Sequence, residues 1–237
     1  MKNILVTGGA GFIGSSFVGQ EVERGNNVIV LDALTYAGKR ENLEWISKKN
    51  LSGKYELVVG DIGDTKLVAK LLRENDIELV VHFAAESHVD NSIKAPDVFV
   101  KTNVDGTCSM LRASYEYYKD LSEASKLKFR FHHISTDEVF GDLPLDSNEK
   151  FNEETPYDPS SPYSASKAGA DHLVRAWYRT YGLPVTISNC TNNYGPRQLS
   201  EKLIPMMIKN AIEGKALGIY GDGKNVRDWI HVDDHLY

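Results

Sequence analysis

Short apolar segments recur along the chain at intervals that suit β-strands. They cover residues 3–6, 28–31, 57–59, 79–83, 129–134 and 185–187, and several are apolar on both faces. The stretches around residues 12–24, 64–74, 97–119 and 162–181 are long enough for helices and carry apolar residues at three- and four-residue spacing. This alternation predicts an α/β fold with a doubly wound parallel sheet, covered by helices on both sides, whose ligands bind at the carboxyl ends of the strands.

The pattern changes after about residue 190. Glycine and proline punctuate shorter segments there, as in an irregular smaller subdomain. We therefore expect one domain over residues 1–189 and a smaller region over residues 190–237. Residues 231–237 contain no helix stop signal, which leads us to expect that the sequence continues in a longer protein and that the second region is incomplete.

Composition and charge narrow the function classes. The chain of 237 residues has 27 basic and 33 acidic side chains, a net charge of −6, and no cluster of Lys and Arg, so a nucleic acid or an anionic membrane surface is not an expected partner. The longest apolar run, 28–31, is too short for a membrane helix, and the N-terminus lacks the apolar segment of a signal peptide. Two cysteines without CxxC spacing indicate neither a disulfide framework nor a zinc site. We expect a cytoplasmic protein without a metal.

A glycine-rich turn follows the first predicted strand. Gly8, Gly11 and Gly14 lie in a run of the G-x-G-x-x-G type. Such glycines bring backbone N–H groups against a pyrophosphate at a helix N-terminus. Asp32 ends the second strand, where a carboxylate accepts hydrogen bonds from an adenosine ribose and repels a 2′-phosphate. The run predicts a dinucleotide site with NAD favoured over NADP; the alternative is a tight strand-to-helix turn and a solvated Asp32.

Two further segments fit the same cofactor. Asp61 and Ile62 follow the third strand, where a carboxylate and a backbone group can meet an adenine, although Asp61 taken alone is more typical of a helix N-cap. Phe83, Ala84 and Ala85 end the fourth strand, and the small residues allow the backbone to approach a dinucleotide closely.

A tyrosine and a lysine at i and i+4 are the first candidates for chemistry. Tyr163 and Lys167 share one face of a predicted helix, and a neighbouring ammonium favours the phenolate, which makes the phenol a usable base near neutral pH. The same spacing occurs at Tyr115 and Tyr220, so an exposed helical pair is the alternative. Only Tyr163 follows, by 27 residues, a strand end that can deliver Thr136 and two acids to the ligand-binding edge.

The two acids, Asp137 and Glu138, are adjacent in sequence. Consecutive strand residues point to opposite faces, so both can meet one ligand only if the chain has left the sheet, which Gly141 and the break in the apolar pattern favour. Adjacent carboxyl groups can divide acid and base work if their surroundings separate their pKa values. The alternative is a solvated acidic loop.

Together these motifs resemble the extended short-chain dehydrogenase/reductase superfamily and its NAD-dependent epimerase/dehydratase family, over essentially the whole chain. The glycine run and the Tyr163–Lys167 pair are superfamily signals. Residues 84–90, 135–141, 192–196 and 201–205 are narrower signals, and the Asp137–Glu138 pair is the sharpest because nucleotide-sugar epimerases of this fold typically lack it. Residues 197–200 depart from the family pattern. The resemblance implies a Rossmann-type sheet and a nucleotide-sugar 4,6-dehydratase of deoxysugar (rhamnose-type) biosynthesis, with a substrate-binding second region.

The resemblance also assigns residues by motif. The implied catalytic residues are Thr136, Asp137, Glu138, Tyr163 and Lys167. The implied NAD contacts are Gly8, Gly11, Phe12, Ile13, Gly14, Asp32, Leu34, Thr35, Asp61, Ile62, Phe83, Ala84, Ala85, Thr102 and Asn193, together with Tyr163 and Lys167. The implied substrate contacts are Ser87, Thr136, Asn192, Glu201, Lys202, Leu203, Pro205, Tyr220 and Arg227. Arg227 suits a diphosphate; its alternative is a local pair with Asp228.

The implied reaction removes water from dTDP-glucose to give dTDP-4-keto-6-deoxyglucose, with NAD reduced and regenerated in each turnover. Tyr163, with Lys167 and Thr136, takes the proton of the sugar 4-hydroxyl as hydride leaves C4. Glu138 takes the C5 proton, Asp137 protonates the departing 6-hydroxyl, and hydride returns to C6. The alternatives are another nucleotide-sugar dehydratase, a 4-epimerase, or an NAD-binding protein without activity. The resemblance further implies a homodimer in which the helices 97–119 and 162–181 pair with their copies; the alternative is that their apolar stripes face the core.

Overall fold

The computed structural model describes residues 1–49, 51–219 and 221–237. Within them, six parallel strands form the central sheet in the order β3-β2-β1-β4-β5-β6. The strands are β1 (Asn3–Thr7), β2 (Asn27–Asp32), β3 (Lys54–Val59), β4 (Leu79–His82), β5 (Arg130–Thr136) and β6 (Val185–Cys190). The predicted doubly wound parallel sheet is confirmed.

The remaining elements connect and extend this sheet. The helices are α1 (Phe12–Glu23), α2 (Glu41–Ser47), α3 (Thr65–Glu74), α4 (Val89–Lys94), α5 (Pro96–Phe99), α6 (Thr107–Asp120), α7 (Glu123–Lys126), α8 (Pro162–Tyr181), α9 (Leu203–Ile212) and α10 (Val232–His235). A π-helical segment (Val100–Gly106) joins α5 to α6, and a 3₁₀ turn (Asp137–Phe140) follows β5. A second, two-stranded sheet pairs β7 (Asn192–Tyr194) with β8 (Trp229–His231).

Alternating side chains along the inner strands build a core on each face of the sheet. Leu5 and Leu31 point to one face and belong to a buried cluster with α3, α6 and α8. Ile4 and Val30 point to the opposite face and pack with α1 and α2. All four are fully buried, and each such burial contributes about 1.5–3 kcal/mol of stability. Two apolar faces explain why these strands read as continuous apolar runs.

The strand order reverses between β1 and β4. From β1 the chain proceeds outward through β2 to β3, then returns to β4 on the other side of β1 and continues through β5 to β6. Thr7 at the end of β1 lies in register with His82 at the end of β4. Loops that leave neighbouring strands in opposite directions open a crevice at the carboxyl ends, which positions a ligand site there.

The predicted helix 97–119 is present but unevenly wound, with the π-helical segment in its middle. Asn103 of that segment is buried; its side chain accepts a hydrogen bond from the backbone N–H of Glu86 (2.9 Å) and donates one to Ser166 Oγ (2.8 Å). These bonds fix the loop after β4 against α8. Periodicity does not predict α2 and α4, since each spans fewer than two full helical turns.

The chain after β6 contains β7, α9, β8 and α10. Thr191 Oγ1 (2.8 Å) and Asn192 Nδ2 (3.3 Å) donate to the Asp228 carbonyl, which ties β7 to the chain ahead of β8. His235 of α10 lies 2.9 Å from the Asn193 side-chain oxygen. Among the helices of the described residues, none has the length and apolar character needed to cross a membrane.

Candidate active site

A cavity of about 520 Å³ opens at the carboxyl ends of the central strands, within the usual size of a small-molecule site. Its walls come from the loops after β1, β2, β3, β4, β5 and β6, from the start of α8 and from α9. The predicted site residues that line it are Gly8, Gly11, Phe12, Ile13, Gly14, Asp32, Thr35, Asp61, Ile62, Phe83, Ala84, Ala85, Ser87, Thr102, Thr136, Asp137, Glu138, Tyr163, Lys167, Asn192, Asn193, Lys202, Leu203 and Arg227.

Three predicted contacts lie outside this lining. Leu34 packs against the core on the α1 face, and its N–H donates to Asp32 Oδ1 (2.8 Å), so it shapes the loop rather than the cavity wall. Glu201 is exposed and lies 3.6 Å from His88, and Pro205 belongs to α9 without reaching the cavity. The prediction for Tyr220 lies outside the described residues.

The glycine turn leaves no room for side chains. Gly8 has a φ of +68°, and a Cβ there would lie 2.7 Å from the Ala84 backbone nitrogen. Gly14 is buried in the first turn of α1, and its Cβ would lie 2.3 Å from the Gly8 carbonyl oxygen. That oxygen accepts the N–H of Gly11 (3.1 Å), which closes the turn ahead of the helix N-terminus. The turn therefore has the close backbone packing that a phosphate cradle needs, and Gly8, Gly11 and Gly14 line the cavity.

Asp32 organises the loop that follows β2. Its Oδ2 accepts from the backbone N–H of Ala10 (2.9 Å) and its Oδ1 from that of Leu34 (2.8 Å). A carboxylate has about four acceptor positions, so two remain for a ligand hydroxyl. Asp32 thus ties the glycine turn to the loop after β2 and lines the cavity.

The loop after β3 resolves the two interpretations of Asp61. Asp64 is the N-cap of α3, accepting from Lys66 N–H (3.1 Å) and Leu67 N–H (3.0 Å). Asp61 instead accepts from Gly63 N–H (2.6 Å) and lines the cavity. The N-cap alternative for Asp61 is excluded, because Asp64 occupies that position.

The 3₁₀ turn explains how two adjacent acids face one cavity. The Thr136 hydroxyl caps the turn by accepting from Glu138 N–H (3.2 Å), and Gly141 ends it with a φ of 84°. Asp137 and Glu138 both line the cavity. The chain has left the sheet at this point, as the sequence predicts.

Both acids have raised pKa values. Burial is the main cause for each, and the charge of Asp137 raises the pKa of Glu138 further while Arg227 and Lys202 lower it. A hydrogen bond from Thr191 partly offsets the effect of burial on the pKa of Asp137. A carboxyl group with a raised pKa holds or accepts a proton closer to neutral pH, which acid–base catalysis requires.

Tyr163 and Lys167 lie one turn apart near the start of α8. Ser161 caps this helix through the N–H of Ser164 (3.0 Å), which fixes the first turn. Lys167 is buried, and its ammonium donates to the Ile134 carbonyl of β5 (2.8 Å). The alternative of an exposed helical pair is therefore excluded.

The sequence predicts that Lys167 favours the phenolate form of Tyr163, but the surroundings in the protein favour the protonated phenol. Burial and the negative charge of Glu138 raise the pKa of Tyr163, while the Thr136 hydroxyl can donate to the phenolate and lowers it. Burial also lowers the pKa of Lys167. In the protein alone, burial outweighs the help that an adjacent lysine gives to ionisation of the phenol.

Several lining residues have no role assigned from the sequence, although Glu86 and Ser135 lie within the motif segments 84–90 and 135–141. They are Leu31, Ala33, Ala37, Gly38, Gly60, Glu86, Ile134, Ser135, Cys190, Thr191, Gln198, Leu199 and Trp229. Most of these residues follow the end of a strand. The strand order of the sheet therefore brings them to the cavity, and no spacing along the chain predicts this. Cys190 lies opposite Thr136 in the β5–β6 register, which a strand-pairing prediction would have found.

The cavity suits a dinucleotide. The glycine turn admits backbone N–H groups to a phosphate, Asp32 retains free acceptor positions, and Asp61 and Tyr163 line the same continuous cavity. The residues described by the structure include no group of three or more His, Cys, Asp or Glu side chains arranged to hold a metal ion.

The reversed parallel sheet, the glycine turn and the Tyr163–Lys167 pair define an extended short-chain dehydrogenase/reductase. A family model described as GDP-mannose 4,6 dehydratase matches residues 5–237, and the chain belongs to this family. The resemblance drawn from the motifs is thereby confirmed.

Relatives with known names agree. The chain is 54% identical over 235 residues to dTDP-glucose 4,6-dehydratase of Xanthomonas campestris pv. campestris (strain B100), covering 99% of this chain and 66% of the relative. It is 55% identical over 234 residues to dTDP-glucose 4,6-dehydratase of Mycobacterium tuberculosis (strain ATCC 25618 / H37Rv), covering 98% and 66%. The chain thus spans 66% of the length of these curated relatives.

A solved structure shares the fold. The crystal structure of DesIV, a dTDP-glucose 4,6-dehydratase from Streptomyces venezuelae with NAD bound, superposes with a TM-score of 0.87 at 47% sequence identity. The match covers 99% of this chain and 69% of DesIV.

Proposed function

We propose that the protein removes water from dTDP-glucose, giving dTDP-4-keto-6-deoxyglucose, with NAD as its bound cofactor. The observation that carries the proposal is the meeting of the Asp137–Glu138 pair and the Tyr163–Lys167 pair in one cavity with the glycine turn. A 4-epimerase needs the tyrosine and the dinucleotide but has no use for two further acids. The names of the relatives support the same reaction and a place in deoxysugar biosynthesis.

The cofactor residues divide into two groups. The glycine turn and the N-terminus of α1 hold the pyrophosphate, while Asp32 accepts from the ribose hydroxyls and disfavours a 2′-phosphate. Lys167 and Tyr163 form the wall at the other end of the cavity. When bound there, NAD would supply the acceptor for the hydride that leaves sugar C4 and, in its reduced form, the donor of the hydride that C6 receives.

Tyr163 is the base for the sugar 4-hydroxyl. The pKa of Tyr163 is raised in the protein alone, so the phenol must first lose its own proton to solvent before it can act as a base. The Lys167 ammonium, together with the positive nicotinamide that NAD would supply, would stabilise the resulting phenolate, which then takes the 4-hydroxyl proton as hydride leaves C4. Thr136 donates to the oxygen that develops charge, and the buried Lys167 ammonium provides the compensating positive charge.

The acid pair performs the elimination. A ketone at C4 acidifies the C5 hydrogen, and Glu138 accepts that proton. The charges of Arg227 and Lys202 partly offset the rise in the pKa of Glu138 that burial causes, which favours its ionised form. Asp137, whose pKa burial raises, delivers a proton to the departing 6-hydroxyl. The two roles require one ionised and one protonated carboxyl group, and a shared buried site disfavours ionisation of both.

The nucleotide diphosphate lies along the smaller region. Lys202, Leu203 and Arg227 line the cavity there, and Lys202 also donates to the Ser87 carbonyl (3.4 Å), which joins α9 to the loop after β4. Arg227 donates to its neighbour's carbonyl and makes no pair with Asp228 in the hydrogen bonds of the described residues, so its remaining N–H groups can meet phosphate oxygens.

The activity is tested by mass spectrometry of nucleotide sugars incubated with the protein and catalytic NAD. The panel contains dTDP-glucose, UDP-glucose, CDP-glucose and GDP-mannose. Loss of one water from dTDP-glucose alone, without net NADH, is expected. Water loss from GDP-mannose alone would overturn the choice of nucleotide, isomerisation without mass change would identify an epimerase, and NAD binding without conversion would identify a silent dinucleotide-binding protein.

We further propose a homodimer formed through α8 and the helical segment 97–119. Phe99, Met110 and Leu111 of that segment are buried in the chain's own core, but Val98 and Val100 are exposed on it, and Tyr178 and Tyr181 are exposed on α8. Such an apolar set suits a second copy of the same surface. Sedimentation equilibrium is expected to give twice the chain mass, and a monomer at all concentrations would contradict this. We also propose a cytoplasmic location, because NAD and nucleotide sugars are intracellular metabolites.

A further inference from the structure

A buried polar cluster lies behind the Tyr163–Lys167 pair, on the side away from the cavity. Asp171 is fully buried on α8, one turn beyond Lys167, so Tyr163, Lys167 and Asp171 occupy one helix face at i, i+4 and i+8. His133 of β5 lies between the lysine and the acid, with Nε2 3.5 Å from Lys167 Nζ and 3.1 Å from Asp171 Oδ1.

Asp171 is held as an anion. Its Oδ2 accepts from the Ser135 hydroxyl (2.7 Å) and the Tyr157 hydroxyl (2.9 Å), and Oδ1 faces the His133 ring. Burial alone would raise the pKa of Asp171, but hydrogen bonds from His133 and Ser135 and the charge of Lys167 bring it below the usual range.

Every titratable group that faces Lys167 can be assigned a charge. These groups are Tyr163 and Asp171 on α8, His133 on β5, His82 on β4 and Cys190 on β6. Burial lowers the pKa of His133 to about 4 and that of His82 well below its usual value, and burial raises the pKa of Cys190 to about 11. Near neutral pH the histidines and the cysteine are uncharged, which leaves Asp171 as the anion that faces the ammonium.

We infer that Asp171 is a positioning residue, the buried counter-ion that keeps Lys167 protonated and aimed at Tyr163 and the dinucleotide. A buried ammonium without a counter-charge loses its proton easily, and a neutral amine cannot stabilise a developing phenolate. His133, Ser135 and Tyr157 hold the carboxylate in place. This role rests on the proposed function of Lys167 and extends it to residues that do not reach the reacting atoms.

The test measures the pH at which Lys167 loses its proton in the wild type and in Asp171→Asn. This substitution keeps the side-chain shape and removes the charge. Two charges one helical turn apart at a moderate effective dielectric constant predict that the alkaline limb moves down by about one to two pH units. The limb is measured twice, in kcat for dTDP-glucose and in NAD affinity by calorimetry across pH. Lys167→Met is expected to lack the alkaline step in NAD affinity altogether.

Two variants separate a charge effect from a packing effect. Asp171→Glu keeps the charge in altered packing and should retain the wild-type limb, whereas Tyr157→Phe removes one donor to Asp171 and should leave the limb unchanged. If Asp171→Asn does not fold, Asp171→Leu combined with Ser135→Ala and Tyr157→Phe removes the charge together with two of its donors and should show the same downward shift.

The outcomes distinguish this inference from the proposed function. A downward shift in NAD affinity with no conversion of dTDP-glucose by the wild type would retain the role of Asp171 and refute the dehydratase. Conversion by the wild type with the same alkaline limb in wild type and Asp171→Asn would retain the dehydratase and refute the counter-ion role. Loss of thermal stability without a shift of the limb would assign Asp171 to packing alone.

Discussion

Replacing Gly14 by alanine tests the geometry of the dinucleotide cradle. The added Cβ would lie 2.3 Å from the Gly8 carbonyl oxygen and 2.8 Å from the Gly9 Cα, both of them backbone atoms. An ordinary contact begins near 3.4 Å, so the Gly8 carbonyl must move by about 1 Å. That oxygen accepts the Gly11 N–H, and its displacement opens the turn that presents N–H groups to the pyrophosphate.

Overpacking of this kind costs about 1–3 kcal/mol. If the turn relaxes in the free protein and must be restored on binding, the cost appears as about 5- to 140-fold weaker NAD affinity, at 1.4 kcal/mol for each factor of ten. If the turn does not relax, the same cost appears as a lower melting temperature. Calorimetric titration with NAD therefore measures the part of the overpacking free energy that appears in binding, and thermal unfolding measures the part that appears in stability.

Gly218→Ala is the matched control. A Cβ at Gly218 meets no atom within 4 Å, and its φ is not in the left-handed region. The control should bind NAD and melt like the wild type. The cradle geometry would be refuted if Gly14→Ala and Gly218→Ala had the same NAD affinity and the same melting temperature.

Three further changes probe the remaining parts of the site. Tyr163→Phe should lower turnover by about 10²–10⁴-fold with NAD affinity little changed, measured by product formation and calorimetry; equal loss of both would make Tyr163 a cofactor ligand only. Arg227→Met removes a charge that lowers the pKa of Glu138, so the pKa of Glu138 should rise. As the pH falls, Glu138 is then protonated at a higher pH than in the wild type, and the acid limb of kcat should move to higher pH. An acid limb that stays in place or moves to lower pH would contradict the pairing. Asp32→Ala leaves two backbone N–H groups without their acceptor and should weaken NAD binding about 10- to 100-fold while narrowing the preference over NADP, which competitive titration with both cofactors checks.

The sheet could be predicted because both of its faces are apolar, so each inner strand appears in the sequence as a short uninterrupted apolar run. The helix over residues 162–181 has the predicted bounds, since Ser161 caps its start and Gly182 ends it in the left-handed region. The π-helical segment could not be predicted, because it depends on Asn103 reaching Glu86 and Ser166 across the fold.

Five of the residues that line the cavity could be predicted from the sequence, whereas the buried residues behind them could not. Thr136, Asp137 and Glu138 are contiguous, and Tyr163 and Lys167 share a helix face, so local spacing brings each set together. Asp171 continues that face, but nothing in the sequence pairs it with His133, Ser135 and Tyr157, which come from a strand and a distant loop. Leu34, Glu201 and Pro205 are predicted by motif position alone, and none of them lines the cavity.

The most direct test of the account uses dTDP-glucose that carries deuterium at C4. If one bound NAD takes the hydride from C4 and returns it to C6 while Glu138 and Asp137 eliminate water, the product has lost one water and retains the deuterium, now at C6. Fragmentation in the mass spectrometer locates the label. A dehydrated product without deuterium, or with deuterium still at C4, would contradict the proposed reaction.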